Sequence, residues 1–387
     1  MTEQAAVHQS TLTAQTEAPP GGPARLAPLK RLASLDALRG FDMFWIIGGG
    51  EFMKGLAKAL DTPVLNALLP QLEHVPWQGL HCWDLIWPLF MFVVGVSIPY
   101  SIAGRRAAGA SDRSLLLRAL RRALILFGLG MILQGRLLDF DLAVFRPCYS
   151  VLHGIAAGYL IAVIVALKFS PKKQAAITAA FLLYYWAILM LAPVPGVGSG
   201  VLLPGKNFAT WVDRLVLGRF HYGENTWFVT YPAFAASVLL GVLAGHLLRS
   251  ARPAGTKFKL LVASGFACLA VGLLWSLAFP IIKLLWTSSF VLVGGGLSFL
   301  ALAAFYGVID GLGYRRWAFA FVVVGMNSIA VYSATMLFDF RHIGNIFVGK
   351  LLPRVGPWDA ALESAAALLV IWLILYWMYR TKTFVKI

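Results

Sequence analysis

Long apolar runs, separated by clusters of Lys and Arg, limit this chain more than any other feature. The runs begin near residues 36, 83, 116, 149, 175, 230, 260, 285, 317 and 359, and most are about 18–24 residues long. A segment of that length crosses the hydrocarbon core of a bilayer as a helix. The expected fold is therefore all-α, a polytopic transmembrane bundle of about ten spans. Composition agrees, since 59% of the residues are hydrophobic and only 13% charged, against about half and a quarter in soluble domains.

The basic clusters fix the expected orientation. Arg105, Arg106 and Arg113 follow the second span, and Lys168, Lys172 and Lys173 the fourth. Arg249 to Lys259 follow the sixth, Arg315 and Arg316 the eighth, and Arg380, Lys382 and Lys386 the tenth. All fall on the side of Arg25, Lys30 and Arg31, so the positive-inside rule makes that side cytoplasmic, both termini included. Segments 61–82, 193–229 and 339–358 then lie outside, the last as a short re-entrant or interfacial piece. Residues 1–30 have no apolar core like that of a signal peptide and read as a disordered cytoplasmic tail. Residues 31–387 read as one transmembrane domain in the inner (plasma) membrane. The net charge of +16 is spread over the loops, which argues against a nucleic-acid partner. Cys82, Cys148 and Cys268 show no metal-binding spacing, so no metal is expected. Cys82 and Cys148 fall at outer span ends, where a disulfide competes with plain packing.

Several polar residues are not explained by membrane physics. Asp84 opens the second span, as an N-cap or as a site carboxylate. His74 lies in the outer loop and suits a general base, or is an ordinary loop histidine. Glu51 follows Gly48, Gly49 and Gly50, where the first helix is expected to break and the glycines permit close packing. Asn327 sits inside the ninth run, as a ligand-binding group or as a hydrogen bond between helices. Lys283, Thr287, Ser288 and Ser289 form an outer polar rim. Arg118, Arg121 and Arg122 share neighbouring faces of one helix start and fit either an anionic ligand or snorkelling arginines. Arg39 is one turn past Asp36 and is expected to pair with it.

A family resemblance adds to this. RLASLDALRGFDMFWIIGGG (31–50) and HVPWQGLHCWDLIWPLFMFVVGVSIPYS (74–101) resemble the opening of the heparan-α-glucosaminide N-acetyltransferase family of transmembrane acyltransferases. RPCYSVLHGIAAGYL (146–160), WVDRLVLG (211–218), LLGVLAGHLL (239–248), LWTSSFVL (285–292) and GMNSIAVY (325–332) agree in order. The resemblance, to a member of bacterial type, covers nearly everything after residue 30. It implies acetyl transfer from cytoplasmic acetyl-CoA to a sugar amine or hydroxyl of an extracytoplasmic glycan. It implies His74 as the active histidine, before Trp77, Gly79 and Asp84. Asp84 and Glu51 are expected to act with it, and Trp77, Gly79, Lys283, Ser288 and Asn327 to surround the acceptor. Arg39, Asp36, Arg118 and Arg122 are the residues expected to hold the donor. Membrane lipid and a second copy of the chain complete the expected partners. Two positions depart from the pattern. Ile46 or Ile47 stands where the family has a catalytic Asn, which makes Glu51 the candidate substitute. His153 and Gly154 stand where the family has Gln-Arg, which leaves the acceptor open. From the residues alone, a transporter of a small polar or anionic solute is the competing reading, against which no internal repeat is visible.

Overall fold

The computed structural model describes residues 32–385 and is helical, with no strand among the described residues. The tail expected over 1–30 lies outside the described residues. In chain order the helices are α1 (Ala33–Phe44), α2 (Gly50–Leu60), α3 (Pro63–Leu68), α4 (Ile86–Ala107), α5 (Asp112–Leu133) and α6 (Val151–Lys168). Then follow α7 (Pro171–Leu191), α8 (Phe208–Leu217), α9 (Tyr231–Arg249), α10 (Ala254–Ser276) and α11 (Ser288–Phe305). The last are α12 (Phe319–Met326), α13 (Ser328–Leu337), α14 (Phe340–Val348) and α15 (Asp359–Arg380).

Seven helical stretches are long and apolar enough to cross a membrane: Cys82–Ala107, Val151–Lys168, Pro171–Leu191, Tyr231–Arg249, Ala254–Ser276, Ser288–Gly311 and Gly356–Arg380. The pair α12–α13, bent by 74° at Asn327, makes an eighth. The chain is a multi-pass membrane protein. The two other stretches counted from sequence are helical but less uniform. Helix α5 carries Asp112, Arg113, Arg118, Arg121 and Arg122 in its first half. The α1–α2 stretch is interrupted by a π-helical turn, Trp45–Gly49, where Gly48 has φ +140°. Only glycine holds that conformation without strain, so the break expected at the triple glycine is real.

Close helix crossings rest on small residues. A Cβ on Gly95 would collide with the Val238 carbonyl, and one on Gly241 with the Phe92 carbonyl, which locks α4 to α9. Lipid offers no hydrophobic drive between helices, so such backbone-to-backbone approach supplies the packing. Above this crossing Trp87, Phe234 and Trp286 form an aromatic knot, with ring centroids 4.5 Å apart for Trp87–Trp286 and 5.0 Å for Phe234–Trp286. Trp286 Nε1 donates to Ser237 Oγ at 2.9 Å, which satisfies its polar end inside the bundle.

The 193–229 segment folds as a cap rather than a simple connection. Helix α8 is N-capped by Asn207, whose Oδ1 accepts from Thr210 N at 2.9 Å. Buried Asp213 accepts from the backbone N–H groups of Trp227 and Phe228 at 2.7 and 3.1 Å, fastening the cap to the start of α9. The 339–358 segment holds the short helix α14 and two 3-10 turns.

Candidate active site

His74 stands in the turn between two 3-10 segments, Leu69–Leu72 and Cys82–Leu85. Its Nδ1 lies 2.7 Å from Asp84 Oδ1. The other carboxylate oxygen accepts from His81 N at 3.0 Å and from Val75 N at 3.3 Å. Asp84 is 1% exposed and therefore does two things at once. It caps the helix entry and contacts the histidine ring. The His74 side chain is 56% exposed, which leaves Nε2 accessible.

Lys283 completes the cluster from a different part of the chain. Its Nζ is 2.8 Å from His74 Nδ1, 3.3 Å from Nε2 and 3.1 Å from Asp84 Oδ1. Burial lowers the lysine pKa, opposed by the Asp84 charge. Two loops are stapled together to hold it there. Gly79 N donates to Ile281 O at 2.9 Å, beside an antiparallel bridge between Gln78 and Ile282. Gly79 adopts φ +123° to allow this pairing. Thr287 braces the lysine loop, donating to Pro280 O at 2.8 Å while accepting from Ile282 N at 3.1 Å. Trp77 Nε1 donates to Leu202 O at 2.9 Å, tying the His74 loop to the cap.

Below the cluster lies a cavity of about 240 Å³ lined by His74, Lys283, Trp83, Phe90, Ile155 and Tyr332, among others. On its far wall Tyr332 OH donates to Gln134 Oε1 at 3.2 Å. A second cavity, of about 310 Å³, occupies the opposite end of the same helices and is lined by Ser97, Arg105, Arg118, Arg121, Arg122 and Tyr159 with their apolar neighbours. The first cavity reaches Phe90 on α4 and Ile155 on α6; the second starts at Val94 and Tyr159. Each step is one helical turn, about 6 Å. The two cavities thus stack end to end between α4 and α6, which run in the same direction. Helix α5 returns between them, with Gln134 at the histidine end and its arginines at the other. Arg122 stacks over the Tyr159 ring at 4.7 Å, and its Nε has no hydrogen-bond partner among the described residues. Arg39 donates to Ser97 Oγ at 3.0 Å and pairs with Asp36 at 3.4 Å, as its spacing predicts.

No family model matches the chain. Two curated relatives align with nearly all of it. Human heparan-alpha-glucosaminide N-acetyltransferase is 27% identical, across 92% of this chain and 60% of that protein. The mouse protein of the same name is 25% identical, across 94% and 61%. The chain is thus similar over nearly its whole length to heparan-alpha-glucosaminide N-acetyltransferases. It spans about 60% of the length of these relatives.

The expected site residues divide. His74, Asp84 and Lys283 meet, with Lys283 closer to the histidine than an outer rim implies. Trp77 and Gly79 shape the site through loop contacts. Ser288 does not reach it: its hydroxyl is buried and donates to Leu182 O at 2.7 Å, joining α11 to α7. Asn327 is buried at the α12–α13 bend, where Nδ2 donates to Thr383 O at 3.2 Å and Oδ1 accepts from Val385 N at 3.0 Å. The reading of Asn327 as structural glue is the one realised. Glu51 lines a neighbouring cavity rather than the His74 cavity, and pairs with Lys54 at 3.2 Å and Arg341 at 3.0 Å. Cys82 and Cys148 are both free thiols, one exposed and one buried, so the disulfide does not form.

Sequence reasoning gave no site role to Gln134, Arg105 or Asp42. Asp42 is 1% exposed, its Oδ2 has no partner among the described residues, and it lines a largely apolar cavity with Phe41, Trp45 and Trp83. A carboxylate inside FDMFW was the available signal, since such a group is costly in a membrane helix.

Proposed function

We propose that this protein is a transmembrane acyltransferase that moves an acetyl group from acetyl-CoA, bound at the arginine end, to a sugar amine or hydroxyl at the His74 end. The observation that carries this reading is the pair of cavities stacked along α4 and α6, cationic at one end and furnished with a histidine cluster at the other. Acetyl-CoA combines several phosphates with a long thin arm. Arg105, Arg118, Arg121 and Arg122 match the phosphates, and arginine is suited to phosphate by its fixed fork of donors. The arm would follow the α4–α6 seam towards His74. In the tautomer that gives its Nδ1 proton to Asp84, 2.7 Å away, Nε2 is unprotonated and can act as the base. An acceptor amine or hydroxyl attacks the thioester carbonyl, Nε2 takes its proton, and the carbon–sulfur bond breaks to release the CoA thiolate. Alternatively Nε2 attacks first and carries the acetyl group to the acceptor. In either case the Lys283 ammonium, 3.3 Å from Nε2, stands where negative charge develops on the acetyl oxygen.

The basic loops support an arrangement with the arginine end in the cytoplasm, both termini there, and the chain in the plasma (inner) membrane. Single-cysteine labelling in a Cys-free background tests this: 61–82 and 193–229 should react only from outside, 104–114 and 249–258 only from inside. Binding of acetyl-CoA to purified protein, followed by mass-spectrometric detection of acetylated amino sugars, tests the reaction. A well-folded protein that binds no acetyl-CoA would remove this reading and favour a transporter.

A further inference from the structure

The cavity that holds Asp42 is used by neither end of the α4–α6 seam. It measures about 390 Å³ and lies between α1, the start of α4 and the middle of α11, a size common among small-molecule sites. Its walls are aliphatic and aromatic, with Phe41 and Trp45 on α1, Trp83 at the entry to α4 and Leu297 on α11. Phe41 and Trp45 meet edge to face, with ring centroids 5.9 Å apart. Leu72 and the exposed Cys82 line its other end, so the cavity opens beside the loop that carries His74.

Among the described residues Asp42 is the only charged side chain lining this space. It is 1% exposed, and its Oδ2 has no hydrogen-bond partner among the described residues. The cation nearest to it in sequence, Arg39, is engaged with Asp36 and Ser97. A carboxylate inside a membrane span is costly unless it is paired. Protonation removes the charge but adds an O–H donor that also lacks a partner. On the α11 wall Ser298 spends its proton on Gly294 O at 2.7 Å, which leaves its oxygen able to accept. The space thus presents acceptors and one negative charge, and what completes it is a cation. The walls select the kind. A hard metal ion takes about six oxygens or more, whereas Asp42 and Ser298 are the only lining side chains with oxygen among the described residues. An ammonium is satisfied by a carboxylate, one further acceptor and aromatic faces. The remaining wall then requires an apolar body.

From this geometry we infer that the cavity binds an amphiphilic amine, with its ammonium on Asp42 and Ser298 and its hydrocarbon body along Leu89 and Leu297. Phe41, Trp45 and Trp83 offer ring faces to the charge. The site stands independently of the acetyl-transfer reading, since none of these residues belongs to the His74, Asp84 and Lys283 cluster or to the arginine end.

The test uses the full chain in phosphatidylcholine nanodiscs, dialysed to equilibrium against labelled octylamine or octanol, with empty nanodiscs as the blank. The expected result is saturable binding of one octylamine per protein and no saturable binding of octanol. Asp42→Asn, and Leu297→Trp, which fills the cavity, should each weaken octylamine binding at least about tenfold. Octylamine should also slow alkylation of Cys82, which lines the cavity, in a Cys148→Ser, Cys268→Ser background. That readout leaves Asp42 in place and serves even if the Asn variant does not fold. Equal saturable binding of octanol would show an apolar cavity with no charge requirement, and overturns the inference. Displacement of octylamine by an equal concentration of sodium ion would make this a metal-ion site and overturns it too. Undiminished binding by a well-folded Asp42→Asn variant does the same. If octylamine neither binds saturably nor protects Cys82, Asp42 is a buried carboxyl without a ligand and the inference falls.

Discussion

The two ends of the α4–α6 seam are built on opposite principles. At the histidine end the charged cluster is held by several fixed partners. Asp84 receives two backbone N–H groups besides His74 and Lys283, and the lysine loop is pinned through Gly79 and Thr287. At the arginine end the side chains are loosely held. Arg105 donates to Ser101 at 3.3 Å, and Arg122 leaves Nε without a partner among the described residues. Chemistry needs groups held in position before the substrate arrives, because reorganisation during the reaction raises the barrier. Phosphate binding tolerates side chains that settle onto their ligand. The contrast fits one end for reacting and the other for holding.

Substitutions at the two ends should therefore fail differently. His74→Ala is expected to lower acetyl transfer by about a thousandfold or more while leaving the melting temperature unchanged, because the side chain is half-exposed. Steady-state turnover beside a thermal melt checks both halves, and retained turnover in a well-folded variant would remove His74 from the chemistry. The double substitution Arg118→Gln, Arg122→Gln should instead raise KM for acetyl-CoA by about ten- to a hundredfold, with kcat little changed. A fall in kcat with constant KM would show that this end takes part in the chemical step. Lys283→Arg should act more gently. Burial lowers the lysine pKa, so Lys283 loses its proton at a lower pH than a free lysine and the rate falls as pH rises through that value. Arginine keeps its charge, so the alkaline limb should move upward while the neutral-pH rate changes less than about tenfold. An alkaline limb that stays in place would assign it to another group. The smallest effect is expected from Cys82→Ser with Cys148→Ser: activity should not respond to reductant or oxidant before or after the change. Redox sensitivity lost in the double variant would mean the thiols do meet.

The sequence reveals what is local. Apolar runs are contiguous, so α4, α6, α7, α9, α10, α11 and α15 stand where expected. His74 and Asp84 are separated by ten residues and meet through one side-chain contact, within reach of a short motif. Lys283 is 209 residues from His74, and only the staple through Gly79 and Ile281 brings it there. Ser288 and Asn327 show the opposite difficulty. A polar residue in an apolar run satisfies the same physical need whether it lines a cavity or braces a bend, and the letter does not tell which. Glu51 is the candidate substitute for the family's Asn because it flanks the same glycine run, Gly48 to Gly50. The π-helical turn instead turns that side of the helix towards α14 and α15.

The clamp at Asn327 also bears on how the protein is made. Both of its backbone partners, Thr383 and Val385, are synthesised after it, and Val385 comes 58 residues later. While the ribosome is still producing α14 and α15, the amide at the α12–α13 bend has neither of them. A polar side chain unsatisfied inside a membrane is costly, so until then the Asn327 amide needs other partners. It reaches its final state only when the segment following α15 arrives. The clamp on the 74° bend therefore closes only after α15 has been made.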